Sequence, residues 1–224
     1  MDRIGRISLI VVVLASLVLL HAGCVSEQVR MQRERERVES RRAASLVGME
    51  VSVLDSFDGT LAWRLDAGQS DPAEVGQTAP KAGAKDRAMD IKFKLGEKKK
   101  VVIGRRLTPL SDLSKDGLLV VDVRSGLAGR CPVSLGLLTM PGWKYCESPK
   151  EVIWPGENPN VGFRLDLPNF KSEESKWKYD QRVPNLSAVG KLVLIFHPAG
   201  GGSVQVNNLR RAKLKLIAEP QPND

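Results

Sequence analysis

The sequence predicts an all-β protein, an antiparallel β-sandwich of the jelly-roll kind, preceded by an export segment and a short charged helix. Three observations lead there. From Val51 onward, apolar and polar residues alternate in short stretches separated by Gly, Pro, Asn and Asp, the period of a strand with one buried face. No long amphipathic helical stripe interrupts them, so strands must pack on strands. The N-terminal residues follow a different pattern, first apolar and then charged, and stand apart from the folded domain.

Arg3 and Arg6 precede a run of fourteen mostly apolar residues, Ile7 to Leu20, and His21-Ala22-Gly23 leads into Cys24. Charge, apolar core and small residues in that order read as a signal peptide, residues 1–24. The end of the segment resembles a bacterial lipobox, which implies that Cys24 is lipidated and becomes the new N-terminus. His21 stands where that motif prefers a small or branched residue. An uncleaved single span is the alternative, because Ile7 to Val25 gives 19 residues and roughly 20 cross a bilayer. Both place the folded part outside the cytoplasm, membrane-anchored in a cell envelope. Val25 after the cysteine resembles lipoproteins sent on to an outer membrane.

Residues 25–49 form the charged stalk. Within "SEQVRMQRERERVESRRAASLVG", Arg30 with Glu34 and Arg35 with Glu39 are four apart, and Glu39 with Arg42 is three apart, spacings that bring opposite charges together on a helix. A basic excess beside a membrane suits anionic headgroups; a frayed linker is the alternative. The formal net charge is +8, and loss of the signal segment takes away Arg3, Arg6 and Asp2. A basic exported protein meets anionic lipid, acidic polysaccharide or cell wall, although surface lysines and arginines also serve simply to solvate a fold. No zinc, helix-turn-helix or RNP motif supports nucleic acid as a partner.

The sandwich occupies residues 50–217, ahead of a tail at 218–224. Met89, Ile91, Phe93 and Leu95 alternate with Asp90, Lys92 and Lys94; Leu119, Val121 and Val123 with Asp122 and Arg124; Val161, Phe163, Leu165 and Leu167 with Arg164 and Asp166. Further strands are expected at Val101 to Leu107, Val133 to Thr139, Leu192 to Phe196, Ser203 to Asn207 and Ala212 to Ile217. Two polar excursions, Ala67 to Arg87 and Lys171 to Ala188, interrupt them.

With Cys24 assigned to the lipid, Cys131 and Cys146 remain in an oxidising compartment and are candidates for a disulfide. A hairpin about Met140-Pro141-Gly142 sets Cys146 opposite Gly136, so a bond to Cys131 requires a bulge or another register.

The segments "DSFDGTLAW", "AMDIKF", "DLSKDGLLVVDV", "WKYCES", "NPNVGFRLDL", "FKSEESKWKYDQRVPNLSAVGKLVLIF" and "GSVQVNNLR" occur in this order between Val51 and Leu216. Together they resemble the galactose-binding-like β-sandwich family of carbohydrate-binding modules. The resemblance implies a jelly roll of two antiparallel sheets, a glycan ligand and, in many members, a structural calcium. Asn207 stands where the last-strand motif usually has Asp, which weakens the calcium expectation because a hard cation wants charged oxygen ligands. No cofactor and no transition metal is expected.

Catalytic chemistry finds little support. Only His21 and His197 occur, too few for a histidine metal cluster, and His197 between Phe196 and Pro198 reads as structural. "GGGS" at Gly200 to Ser203 matches neither a phosphate loop nor G-x-S-x-G, so Ser203 is not a nucleophile. Asp90, Asp122 and Asp166 each have a basic residue two positions away on the same face, Lys92, Arg124 and Arg164, so a ladder of exposed cross-strand ion pairs explains them without catalysis.

The triplet Trp-Lys-Tyr occurs twice, at Trp143 to Tyr145 and at Trp177 to Tyr179, in a chain with four Trp and two Tyr. Trp63 and Trp154 read as core pins. Trp143, Tyr145, Trp177 and Tyr179, which flank turns or lie in a polar loop, either anchor that loop or present rings to a ligand. The leading expectation is a non-catalytic binding module for a glycan or cell-envelope polymer, with sugars stacked on Trp143 and Tyr145, helped by Trp177 and Tyr179. Asp122 and Arg124 are candidates to hydrogen-bond hydroxyls if their strand face lines the groove. The alternatives are an assembly lipoprotein with a protein partner, or a jelly-roll lyase or hydrolase. Whether the two triplets share one groove separates these readings.

Overall fold

A computed structural model describes residues 27–58, 60–78 and 87–214; the segment read as a signal peptide, Cys24 and the expected tail lie outside the described residues. The chain divides into two units, residues 1–41 and 42–224. In the first, residues 27–41 are helical, with Arg35 and Glu39 paired at 2.7 Å and Gln32 donating to Glu36 at 2.9 Å. The i,i+4 spacing thus produces the contact it predicts.

The second unit holds two antiparallel sheets. The first sheet contains β1 (Met49–Asp55), β3 (Ala73–Gln77), β4 (Met89–Phe93), β6 (Leu118–Ser125), β10 (Gly156–Arg164) and β12 (Gly202–Leu214), in the order β10-β6-β12-β4-β3 with β1 also on β12. The second contains β2 (Arg64–Leu65), β5 (Val101–Ser111), β7 (Cys131–Thr139), β8 (Lys144–Glu147), β9 (Glu151–Ile153) and β11 (Val189–Phe196), in the order β2-β5-β11-β7-β8 with β9 also on β7. Leu119, Val121 and Val123 of the first sheet face Ile103, Leu135, Leu192 and Leu194 of the second in one buried core. Each such side chain contributes about 1.5–3 kcal/mol on burial. Trp63 and Trp154 are buried, as expected of pins.

Several sequence expectations need correction. Ser203–Asn207 and the described part of the second expected strand, 212–214, belong to one strand, β12, which bulges between Asn207 and Arg210 with Asn208 in the left-handed region; 215–217 lie outside the described residues. The polar break Asn207-Asn208 makes a bulge there, which keeps the ladder running where a turn would end it. β12 uses that length: β4 pairs with its first residues, Gly202 to Val206, and β1 with its last, Leu209 to Leu214. The excursion Ala67 to Arg87 contains β3, which pairs along β4. Leu165 and Leu167 lie past the end of β10.

Cys131 and Cys146 are free thiols. Cys146 pairs with Leu137, one residue from the expected register, while Cys131 pairs with Ile153. Six residues along β7 separate the two positions, roughly 20 Å of strand and far beyond disulfide reach. Burial pushes both thiols up to about 12, so neither is a reactive thiolate.

Candidate functional site

The outward residues of the second sheet form three rows across its central strands. Register places Arg106, Lys191, Leu138 and Tyr145 in one row, Gly104, Val193, Gly136 and Glu147 in the next, and Val102, Ile195 and Ser134 in the third. Gly104 and Gly136 flank Val193 and make the middle row a trough. A β-carbon on Gly136 would stand 2.9 Å from the Tyr145 ring, and one on Gly104 would stand 2.5 Å from the Lys191 side chain. The missing side chains are therefore what lets a phenol and a lysine stem lie flat on the sheet.

Trp177 reaches this face by a non-local route. The segment after Leu165 folds back so that Lys171 and Glu147 exchange two backbone hydrogen bonds of 2.9 Å, and Phe170 exchanges two with Gln181. Phe170 and Val183 are buried and hold the segment down. Trp177 donates its backbone N–H to Ser172 at 2.8 Å and takes a left-handed φ of 63°, a conformation uncommon for a bulky residue. Its ring comes to rest 6.3 Å from that of Tyr145. The two triplets thus meet, although not as two flat strand pairs. Trp143 has a φ of 53° and lies in the turn before β8, its ring beside Gly190 and 5.6 Å from the Arg106 guanidinium.

Phe170 and Val183 anchor the loop in the core; of the triplet aromatics, Tyr145 packs against Val102, Val193 and Ile195, and the other three are exposed. Trp177 is 52% exposed, Trp143 45% and Tyr179 43%, whereas Tyr145 is half-buried. A groove of about 520 Å³ runs over Val102, Val193 and Ile195, with Tyr145 and Trp177 on its wall. A hollow of about 320 Å³ adjoins it, shares those two rings and includes Trp143.

The groove is polar at its margins. Glu147 accepts from Ser134 at 3.1 Å and from the Tyr145 hydroxyl at 3.3 Å, and pairs with Lys171 at 3.1 Å. Burial, and then the Glu147 charge, raise the Tyr145 phenol well above its ordinary range, so it is a neutral donor. Lys171 also lies 6.0 Å from the Trp177 ring and 5.1 Å from that of Tyr179. Partial burial works against its charge, but Glu147 and Tyr179 outweigh it and raise the ammonium. Across the groove Lys191 pairs with Asp66 at 3.3 Å. These residues escape sequence reasoning because their meeting depends on strand order; the one local hint is the glycine that each of β5, β7 and β11 spends on an outward or edge position.

Asp122 and Arg124 lie elsewhere. They project from the outer side of β6, in the other sheet, so their face does not line this groove. Asp122 pairs with Arg210 at 2.6 Å, and Arg124 with Glu157 at 3.3 Å, the cross-strand ion pairing expected of this face. Asp90 and Asp166 instead pair with the basic residue two positions away, Lys92 at 3.7 Å and Arg164 at 2.5 Å, and not across the ladder. Asn207 pairs across the ladder with Asp122, whose carboxylate already takes Arg210, Asn208 and the Asn160 N–H. A calcium ion there would have to displace a guanidinium, and the side chains present do not fit one. Among the described residues no group of three His, Cys, Asp or Glu could hold a metal.

No protein-family model matches the sequence, and no curated protein matches it either. Solved structures do. The chain is similar to the solution structure of the carbohydrate-binding module CtCBM11, with a TM-score of 0.57 at 15% identity over 76% of this chain and 98% of that one. It is similar to the family 11 carbohydrate-binding module from Clostridium thermocellum in complex with a β-1,3-1,4-mixed-linked tetrasaccharide, with a TM-score of 0.53 at 14% identity over 72% and 94%. An exo-β-agarase matches with a TM-score of 0.53 at 13% identity, over 75% of this chain but 25% of the agarase. At these identities the likeness establishes the architecture, and the chain has the two-sheet β-sandwich fold of carbohydrate-binding modules.

Proposed function

We propose that the protein is a non-catalytic glycan-binding lipoprotein of a bacterial cell envelope, held to the membrane through Cys24. The observation that carries this reading is the Tyr145 and Trp177 ring pair, 6.3 Å apart at the wall of an elongated groove. Aromatic faces accept the apolar face of a pyranose, and the polar groups around them, Glu147, Lys171 and Lys191, can hydrogen-bond its hydroxyls. The adjoining hollow with Trp143 extends the same surface, which suits a polymer segment better than a single sugar. That a module of this fold was solved with a mixed-linked tetrasaccharide supports the ligand class.

Both carboxylates on the groove walls, Asp66 and Glu147, are ion-paired to lysines, an arrangement that fixes side chains and does not supply a proton donor for glycoside cleavage. Titration of the full chain in detergent against soluble β-glucans, galactans and polyuronates tests the proposal. Trp177→Ala should weaken binding by about 30-fold, the equivalent of roughly 2 kcal/mol for a central aromatic contact. Asp122→Asn should leave it within about twofold, as expected for a surface change distant from the ligand. A folded chain that binds none of these polymers, or that binds equally well without Trp177, overturns the reading. Metabolic labelling with a fatty-acid analogue tests the tether, with label expected on the wild type and lost in Cys24→Ser.

A further inference from the structure

The groove carries more positive charge than a neutral sugar requires. Of its four lysines, Lys191 is matched by Asp66 and Lys171 by Glu147, and each pair cancels. Lys100 and Lys150 are left over. Neither has a carboxylate partner among the described residues; Lys100 reaches only the side-chain oxygen of Gln69, at 3.5 Å. His197 lines the same groove, and its Nε2 is sealed from solvent and has no hydrogen-bond partner. Burial first, and then the charges of Lys150, Lys100 and Lys171, depress that imidazole, with Glu147 the one group opposing them, so several ammonium fields act on this groove-lining residue.

We propose that the groove takes an anionic glycan, a polymer of pyranoses bearing carboxylate or sulfate groups, with Lys100 and Lys150 binding the anion and Tyr145 and Trp177 taking the ring face. This rests on the groove being the glycan site. Uncompensated ammonium groups beside an apolar floor strengthen their attraction for an anion, because one side of the site excludes water. A neutral glucan would leave both lysines without a partner. A membrane surface fits less well, since a flat headgroup layer cannot enter a groove walled by aromatic rings.

The test is equilibrium binding of the full chain in detergent to polygalacturonate, a sulfated galactan and a neutral mixed-linked β-glucan. At least one anionic polymer should bind about tenfold more tightly than the neutral one, and this advantage should shrink as salt is raised from about 50 to about 500 mM. Whichever anion keeps more of its advantage at the higher salt identifies the charged group. Lys100→Gln/Lys150→Gln should cut the anionic advantage about fivefold or more, while Lys94→Gln/Lys115→Gln, exposed lysines outside the groove, should not. Equal losses in the two double variants would reduce the effect to general surface charge and overturn the proposal. So would a neutral polymer that binds as tightly as the anions. If in that case Trp177→Ala still abolishes binding, the glycan site survives and only its preference for anions falls. Anion binding that ignores Trp177→Ala removes both.

Discussion

The two sheets share an inner face and differ on their outer ones. On the first sheet the outward residues Leu118, Val120 and Ala212 are covered by Leu46 and Met49 of the same unit, and the remainder carries ion pairs such as Asp122 with Arg210. On the second sheet Val102, Val193 and Ile195 form the floor of an open groove walled by Tyr145 and Trp177. Strict alternation marks β4 of the first sheet, whereas β7 and β11 of the second carry apolar residues on both faces. The spacing of small residues differs as well: glycines at 104 and 136 flank one valine in register and open a trough for rings and lysine stems. An outer face becomes a candidate binding surface when strand positions are left empty, not when aromatic residues are merely added.

The difference can be broken most severely at Phe170. Its side chain is fully buried and anchors the segment that brings Trp177 to the groove. Phe170→Ala should destabilise the domain by about 3–5 kcal/mol and lower glycan affinity as well, measured by chemical denaturation and titration. A variant that loses stability but binds normally would show that Trp177 is placed by other contacts.

Glycines on the two sheets give the next largest contrast. Gly136→Ala drives a β-carbon into the Tyr145 ring and should cost about 1–3 kcal/mol while displacing that ring. Gly76→Ala in the first sheet meets nothing within 4 Å and should be neutral or stabilising by up to about 1 kcal/mol. Equal denaturation midpoints for the two variants would contradict the trough.

Acidification acts on the second sheet through His197 over a defined window. His197 has a folded pKa of about 4 against an ordinary 6.5, because burial disfavours its charge. The unfolded chain therefore binds the extra proton first. The stability from a neutral imidazole is fully present above pH 6.5 and is lost as pH falls toward 4, by about 1–2 kcal/mol once solvent screening at a partly exposed site is allowed for. His197→Asn should flatten the melting temperature across that range. The smallest effect expected is none: reductant should leave the melting temperature unchanged, since Cys131 and Cys146 are unbonded.

Much of the fold is legible in the sequence. Met89 to Phe93 and Leu119 to Val123 announce their strands by alternation, and Trp63 and Trp154 their burial by position. β12 reads as two strands because Asn207-Asn208 looks like a turn, and only the partners on either side reveal a bulge. β3 is hidden because its inward side, Ala73, Val75 and Gln77, offers only one sizeable apolar residue. The candidate site is half legible. The doubled triplet points to Tyr145 and Trp177, which the fold brings to one groove, but Asp122 and Arg124 share with them only a strand-face pattern, which does not say which sheet a strand joins. The meeting of Tyr145 with Trp177 depends on the bridge between Glu147 and Lys171, a pairing 24 residues apart that no local period encodes.

That bridge has a second consequence. β8 is the last strand at its end of the second sheet, and an unguarded strand edge is a template on which a neighbouring molecule can build. By pairing Lys171 with Glu147, the segment that brings in Trp177 also caps this margin. Trimming the loop to simplify the ligand surface would therefore uncover a sticky edge, and the shortened protein would lose its rings and its solubility together.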